Sequence, residues 1–469
     1  MSTRILSDVR LPDGQRADVL LRDGRIARIA SRVEAGAAPV LACRGLLLLP
    51  AGIDFHVHFR TPGATHKESL FSGARAAVKG GIATCGDMPN TRPPTTTCER
   101  LVAKAALTAD LPADVYCHFG AEPDNLEEVR RAARHPRCKA LKIFIGPSTG
   151  HGGLAPAAVE AHFRNAAEAD LPVIVHAEDP DRIAAAASGH PHDAWHHTDL
   201  RPLEAELAAV RFALELARRY PVRLCIAHTT AAQVIDLAVA SGVRDRVFVE
   251  AAPHHLLLAR ERIGPGEDGL PDNRYKVNPP LRPEAVRAAL AERLAQPGGG
   301  AGIDGLGSDH APHTLAEKSQ PYDDAPSGIP GVEYQLPLAL SWWREGRISL
   351  ERLIELTSGA AARFFGLNKG RVAEGADADL ILVDPDAAWT VGRGDDRVAS
   401  RCGYTLYEGM TLRGRIETTF VGGHVAWTRA GGWPDPVPAR WADAASPGSG
   451  GHAEAQVAPP AAARDSCSD

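Results

Sequence analysis

The chain has 469 residues, 44% of them hydrophobic and 23% charged, with a formal net charge of −6. That is ordinary globular composition with ample material for a core, and the 45 glycines and 36 prolines fall short of what disorder throughout would need. The slight acidity excludes a broad field attracting nucleic acid or an anionic membrane. No apolar run approaches the roughly 20 residues of a spanning helix. The N-terminal MSTRILSDVRLPDG is interrupted by charges and lacks the apolar stretch of a secretion signal. The eight cysteines, at 43, 85, 98, 117, 138, 225, 402 and 467, show no CxxC spacing. They read as reduced thiols of a cytoplasmic protein.

Residues 1–51 alternate and turn like strands, with Asp13-Gly14 and Asp23-Gly24 as hairpin pairs and an apolar run, Leu46 to Leu49, before Pro50. A similar pattern returns in GADADLILVD (375–384) and TTFVGGHVAW (418–427). The two β-rich ends, 1–51 and 367–433, are expected to build one small composite β domain. Between them, in 52–366, lie eight apolar runs: 53–59, 81–87, 113–119, 140–145, 172–177, 222–228, 246–251 and 302–309. They alternate with stretches of helical periodicity such as 202–219 and 283–295. Eight short buried strands alternating with helices predict an α/β fold, a (β/α)8 TIM-type barrel. An open doubly wound sheet would share that local pattern, so the placement of polar residues decides. From 434 to 469 the composition turns Pro/Ala/Gly/Ser-rich without period, and a disordered tail is expected.

Polar residues at the carboxyl ends of barrel strands are where such a fold carries chemistry. His56 and His58 stand two apart on the first run, so their side chains share a face and can grip one metal ion. For an isolated pair, two satisfied core histidines would be the ordinary explanation. Four further strand ends change the odds: Lys142 inside ALKIFI, His176 ending VIVH, His228 ending LCIAH, and Asp309 ending the eighth run. A lysine buried in a strand costs several kcal/mol unless paired. Among histidines and acids, a neutral lysine can take up carbon dioxide and become a carbamate, an anionic ligand able to bridge two metals. Arg60, completing HxHxR, can form a bidentate fork to a carboxylate.

With these residues in place, the chain resembles the amidohydrolase superfamily and, within it, the dihydroorotases. The resemblance runs over nearly all of 1–430, through GIDFHVHFRTPGATHKE (52–68), MPNTRPPTTT (88–97), ALKIFIGPSTG (140–150), HAED (176–179), EAAPHHLLL (250–258), VNPPLR (277–282) and GSDHAPHT (307–314). It implies that His56 and His58 bind a first divalent metal and His176 and His228 a second, with carbamylated Lys142 as the bridge. Asp309 would be a first-metal ligand and the catalytic acid/base. Arg60, Asn90 and His313 would hold a substrate carboxylate, and Asn278 the pyrimidine ring. The implied reaction is reversible hydrolysis of dihydroorotate to N-carbamoyl-L-aspartate, in pyrimidine biosynthesis. Zinc is the default metal for a His-rich hydrolytic site and a homodimer the base-rate assembly; association with aspartate transcarbamoylase is a further implied partnership.

Thr61 and Ala252 depart from the family's usual Glu and Thr, at positions that are neither ligands nor carboxylate contacts. An allantoinase or hydantoinase/dihydropyrimidinase-type enzyme is the rival within the same chemistry; HxHxR and the spacing of MPN favour dihydroorotase. A catalytically silent partner of aspartate transcarbamoylase would be expected to lose metal ligands, and all six are present. The histidines of SGHPHDAWHHTD (188–199) are expected in a solvated loop, and GPSTGHGG (146–153) in a barrel loop. PYDDAPSGIPG (321–331) is expected to be a mobile flap, and His254-His255 to shape the pocket wall.

Overall fold

The computed structural model describes residues 3–148, 152–394 and 396–434. All but Pro434 of the expected tail, together with Cys467 and residues 149–151 of the 146–153 loop, lies outside the described residues. The seven described cysteines are free.

Two hydrophobic patterns produce two sheets. The alternating N-terminal segments form β1 (Thr3–Arg10), β2 (Arg16–Arg22), β3 (Arg25–Ala30), β4 (Val40–Ala42) and β5 (Leu47–Pro50). The continuous apolar runs form β6 (Gly52–Val57), β7 (Ile82–Asp87), β8 (Asp114–Gly120), β9 (Cys138–Phe144), β10 (Val173–His176), β11 (Leu224–Ile226), β12 (Val247–Ala251) and β13 (Gly305–Leu306). The C-terminal segments add β14 (Leu380–Thr390), β15 (Thr411–Val421) and β16 (His424–Thr428). TTFVGGHVAW therefore spans two strands, because Gly422 and Gly423 adopt φ of 56° and 76° and turn the chain.

Strands β6 to β13 pair in sequence order. A parallel bridge between Val57 and His310, with His58 N donating to His310 O at 2.8 Å, brings the two edges together. This is the expected eight-stranded parallel barrel, buried on both faces as parallel sheets require. Along β9, Leu141 and Ile143 join the cluster packed under the helices, whereas Ala140 joins Ile53, Phe55, Ile174 and Phe248 in a separate inner cluster. Period-two alternation thus turns Lys142 inward with Ala140.

The second sheet runs β16-β15-β14-β5-β1-β2-β3, with β4 beside β1. Leu380 pairs with Pro50 and Val383 with Leu47, so the two ends of the chain share one sheet over a core that includes Leu6, Val19, Leu48, Leu382 and Phe420.

Three strand ends differ from the sequence expectation. β6 stops at Val57, β11 at Ile226 and β13 at Leu306, so His58, Arg60, His228 and Asp309 lie just beyond their strands. Arg60, His228 and Asp309 have φ of 53°, 37° and 45°. A left-handed backbone is costly for residues with a Cβ, and such residues gather where a site over-determines the chain. The β6–β7 ladder is also irregular between Asp54 and Val57, which breaks the simple alternation assumed for the HxHxR segment.

Candidate active site

One cavity at the carboxyl ends of the barrel strands is lined by His56, His58, Arg60, Asn90, Lys142, His176, His228, Asn278 and Asp309, together with Phe144, Ser327 and Gly328. The six residues singled out as ligands thus come from β6, β9, β10, β11 and β13 or the turns that follow them.

Donor atoms of His56, His58 and Asp309 lie within 4.8 Å of one another, a group that could hold a metal ion. Asp309 Oδ1 is 3.1 Å from His58 Nε2 and 3.4 Å from His56 Nε2. The opposite nitrogens are engaged: His56 Nδ1 lies 2.8 Å from Glu250 Oε1, and His58 Nδ1 2.8 Å from Asn90 Oδ1. Across the cavity His176 Nδ1 is 3.1 Å from His228 Nε2, while His176 Nε2 bonds Glu178 at 2.9 Å. Arg201 Nε in turn donates to Glu178 at 3.1 Å. Metal-binding imidazoles are commonly oriented in this way, one nitrogen tied to a carboxylate or amide and the other left for the ion.

Electrostatics agree with that use. Burial lowers the pKa of all four histidines, well below the usual value for His56 and His228, which keeps them neutral as ligands must be. Burial also lowers Lys142 and raises Glu250. Burial pushes Glu178 upward too, but Arg201 and His176 overcome it and hold the carboxyl well below its ordinary range. Lys142 is 1% exposed, and its Nζ has no hydrogen-bond partner among the described residues. An amine desolvated without compensation is expensive; a bridging carbamate would give that nitrogen and its neighbours a common purpose. The donor set fits a two-metal site.

Beside the histidines lies a cationic corner. Arg60 is buried, and desolvation pulls its pKa down to about 10. Its Nε donates to Pro312 O at 3.2 Å, and a guanidinium nitrogen stands 3.1 Å from His313 Nε2. His313 does not line the cavity wall; it sits behind Arg60 and accepts from Lys67 Nζ at 3.0 Å. Burial, then Arg60, Lys67 and Lys318, drive its pKa well below normal. Lys67 is paired with Glu317 at 2.9 Å and burial pulls Lys318 well below its ordinary range, so the Arg60 guanidinium, which makes no ion pair among the described residues, is the charge this corner offers an anionic ligand group.

Glu178, Glu250, Arg201 and Lys67 were not singled out from the sequence. Glu250 ends the apolar run RVFVEA much as His176 ends VIVH, so the strand-end rule could have found it. Lys67 gives no such signal. The histidine-rich segment divides: His190 and His192 are exposed, but His197 is buried, with Nε2 2.9 Å from Asn278 Oδ1. The expected solvated loop is corrected at that residue. His254 and His255 are buried, their rings 4.2 Å apart. The 321–331 segment supplies Ser327 and Gly328 to the cavity and is anchored by two lysines. Lys276 bonds Tyr322 O and Ala325 O, and Lys318 bonds Pro326 O and Gly328 O.

Comparison with known proteins gives concordant results. The model of the amidohydrolase family matches residues 47–426. A dihydroorotase of Halobacterium salinarum is 41% identical over 87% of this chain and 92% of its own length. One from Methanosarcina acetivorans is 34% identical over 88% of each. Among solved structures, the L-hydantoinase (dihydropyrimidinase) of Arthrobacter aurescens superposes with a TM-score of 0.81 at 30% identity, covering 91% of this chain and 96% of that one. The chain belongs to the amidohydrolase family, and both of these sequence relatives, matched over most of its length, are dihydroorotases.

Proposed function

We propose that the protein is a dihydroorotase, opening the dihydroorotate ring to N-carbamoyl-L-aspartate and closing it in pyrimidine biosynthesis. The observation that carries this is the conjunction of a four-histidine, lysine and aspartate cluster with a buried guanidinium in a single cavity. In this reading His56, His58 and Asp309 hold one divalent ion, His176 and His228 a second, and carbamylated Lys142 both, with zinc as the metal. When bound, such a pair supplies a hydroxide nucleophile near neutral pH and polarises the amide carbonyl. Asp309, 3.1 Å from His58 Nε2, would take the proton of the attacking hydroxide and pass it to the departing ring nitrogen. Glu250, Asn90 and Glu178 keep the histidine rings in their working orientation. Arg60 and Asn90 hold the substrate carboxylate, His313 backs the Arg60 guanidinium at 3.1 Å, and Asn278 meets the ring.

The structural neighbours include hydantoinases, whose ring substrates need carry no carboxylate. The buried Arg60 guanidinium on the cavity wall favours a carboxylated ring. A catalytic barrel of 52–366, a cytoplasmic location and a homodimer belong to the same proposal; no helix among the described residues is long and apolar enough to cross a membrane. Assays of the zinc-loaded protein on dihydroorotate, hydantoin, dihydrouracil and allantoin test it. Dihydroorotate should be preferred by a wide margin in kcat/KM, and preference for an uncharged ring would reject it.

A further inference from the structure

His197 is 5% exposed and sits between the cavity and the 321–331 segment. Its Nε2 lies 3.1 Å from Val277 O and 2.9 Å from Asn278 Oδ1, and its Nδ1 lies 2.6 Å from the Tyr322 hydroxyl. A backbone carbonyl can only accept, so Nε2 carries the ring proton. Nδ1 is then a lone pair, and the Tyr322 hydroxyl must donate to it. Burial, reinforced by Arg201 and Lys276, lowers the imidazole to about 3, which leaves one proton on the ring. Donation therefore runs in one direction, from Tyr322 through His197 to Asn278 Oδ1. Tyr322 is fixed by Lys276, whose Nζ donates to Tyr322 O and stands 4.0 Å from the ring centroid. Asn278 lines the cavity. With its oxygen engaged by His197, the group it has left for a ligand is the NH2, which makes no hydrogen bond among the described residues.

We propose that His197 is a positioning residue that sets the Asn278 amide as a donor, so that the site recognises a ring carbonyl rather than a ring N–H. Tyr322 locks the imidazole tautomer on which this depends. The role rests on the reading of the cavity as a cyclic-amide site. Amide orientation otherwise has two nearly isoenergetic choices, and a fixed neighbour decides between them.

The test is a double-mutant cycle on the zinc-loaded full chain, with His197→Ala, Asn278→Ala and the pair, reading kcat, KM and bound metal. Each single variant should lose about tenfold in kcat/KM, chiefly through KM, as expected for one lost hydrogen bond to a neutral partner. The double variant should be no worse than Asn278→Ala alone, since the imidazole acts through that amide. His197→Gln, which keeps a donor near the Nε2 position, should recover most of the loss, and His197→Asn should not. Tyr322→Phe, a single-hydroxyl change, should raise KM severalfold with metal content unchanged. Losses that multiply in the double variant, a Gln variant no better than Asn, or a loss that follows metal content would each overturn the proposal. If dihydroorotate is not turned over, the cycle is run on whichever of hydantoin or dihydrouracil is. Both rings carry carbonyls, so failure of the substrate reading and failure of the positioning role register separately.

Discussion

His176 Nδ1 and His228 Nε2 face each other at 3.1 Å from the ends of adjacent strands β10 and β11. His176 Nε2 is committed to Glu178, so its Nδ1 lone pair points at the neighbouring ring, and Lys142, on β9, completes the same wall. Three consecutive strands thus deliver nitrogen to one spot, where burial keeps the imidazoles neutral. Nothing in barrel packing requires that arrangement, whereas the proposed ligation of a cation would account for it.

Lys142→Ala should lose most of the bound metal and most of the activity, because the carbamate it would carry is the proposed bridge between the two histidine pairs. Adding a short carboxylic acid should partly restore both. Elemental analysis alongside turnover checks this; a variant with wild-type metal and full rate would remove the carbamate from the account.

Glu250→Gln keeps shape but weakens the acceptor held by His56 Nδ1. Partners of this kind are typically worth about 10–100-fold in metal affinity or activity. Competition with a chelator should show a loss within that range, and an unchanged affinity would make Glu250 a bystander.

Asp309→Asn should retain appreciable metal, held by four histidines and the bridge. It should still slow turnover by about 10²–10⁴-fold, the usual worth of a positioned acid/base. Near-normal kcat with full metal would take Asp309 out of proton transfer.

The link between sheet and barrel is testable apart from chemistry. Lys369 Nζ meets Thr84 Oγ1 at 2.8 Å and both Asp114 and Asp379 at 2.7 Å, all buried. Lys369→Met removes the cation shared by two buried carboxylates, of which Asp114 keeps Arg137 at 2.6 Å, and breaking a buried pair costs about 3–5 kcal/mol. A clear drop in Tm with unchanged metal per folded protein is the expected result; an unaltered Tm would show the cluster to be energetically idle.

The barrel was legible because parallel strands covered on both faces must be continuous apolar runs, and all eight stood out. The candidate ligands could be picked out because a polar residue closing such a run has little structural excuse. Other features lay beyond reach of local pattern. Glu250 works on His56 across 194 positions, and His197 owes its burial to Tyr322 and Asn278, 125 and 81 positions away. The left-handed turns at Arg60, His228 and Asp309 were invisible too, since no glycine marks them. Arg60 completes HxHxR, yet it reaches the cavity from a turn after β6 and not from the strand itself.

Arg60 carries the central claim, that the substrate bears a carboxylate. The decisive measurement is kcat/KM for dihydroorotate and dihydrouracil in the wild-type protein and in Arg60→Met, with metal content determined for both. Charge-assisted hydrogen bonds contribute about 1.5–3 kcal/mol each, so the variant should lose dihydroorotate turnover by at least an order of magnitude while keeping its metal. Dihydrouracil should be a poor substrate for both proteins and change little. If Arg60→Met slows the two rings equally, or wild type prefers the uncharged ring, the assignment as a dihydroorotase is contradicted.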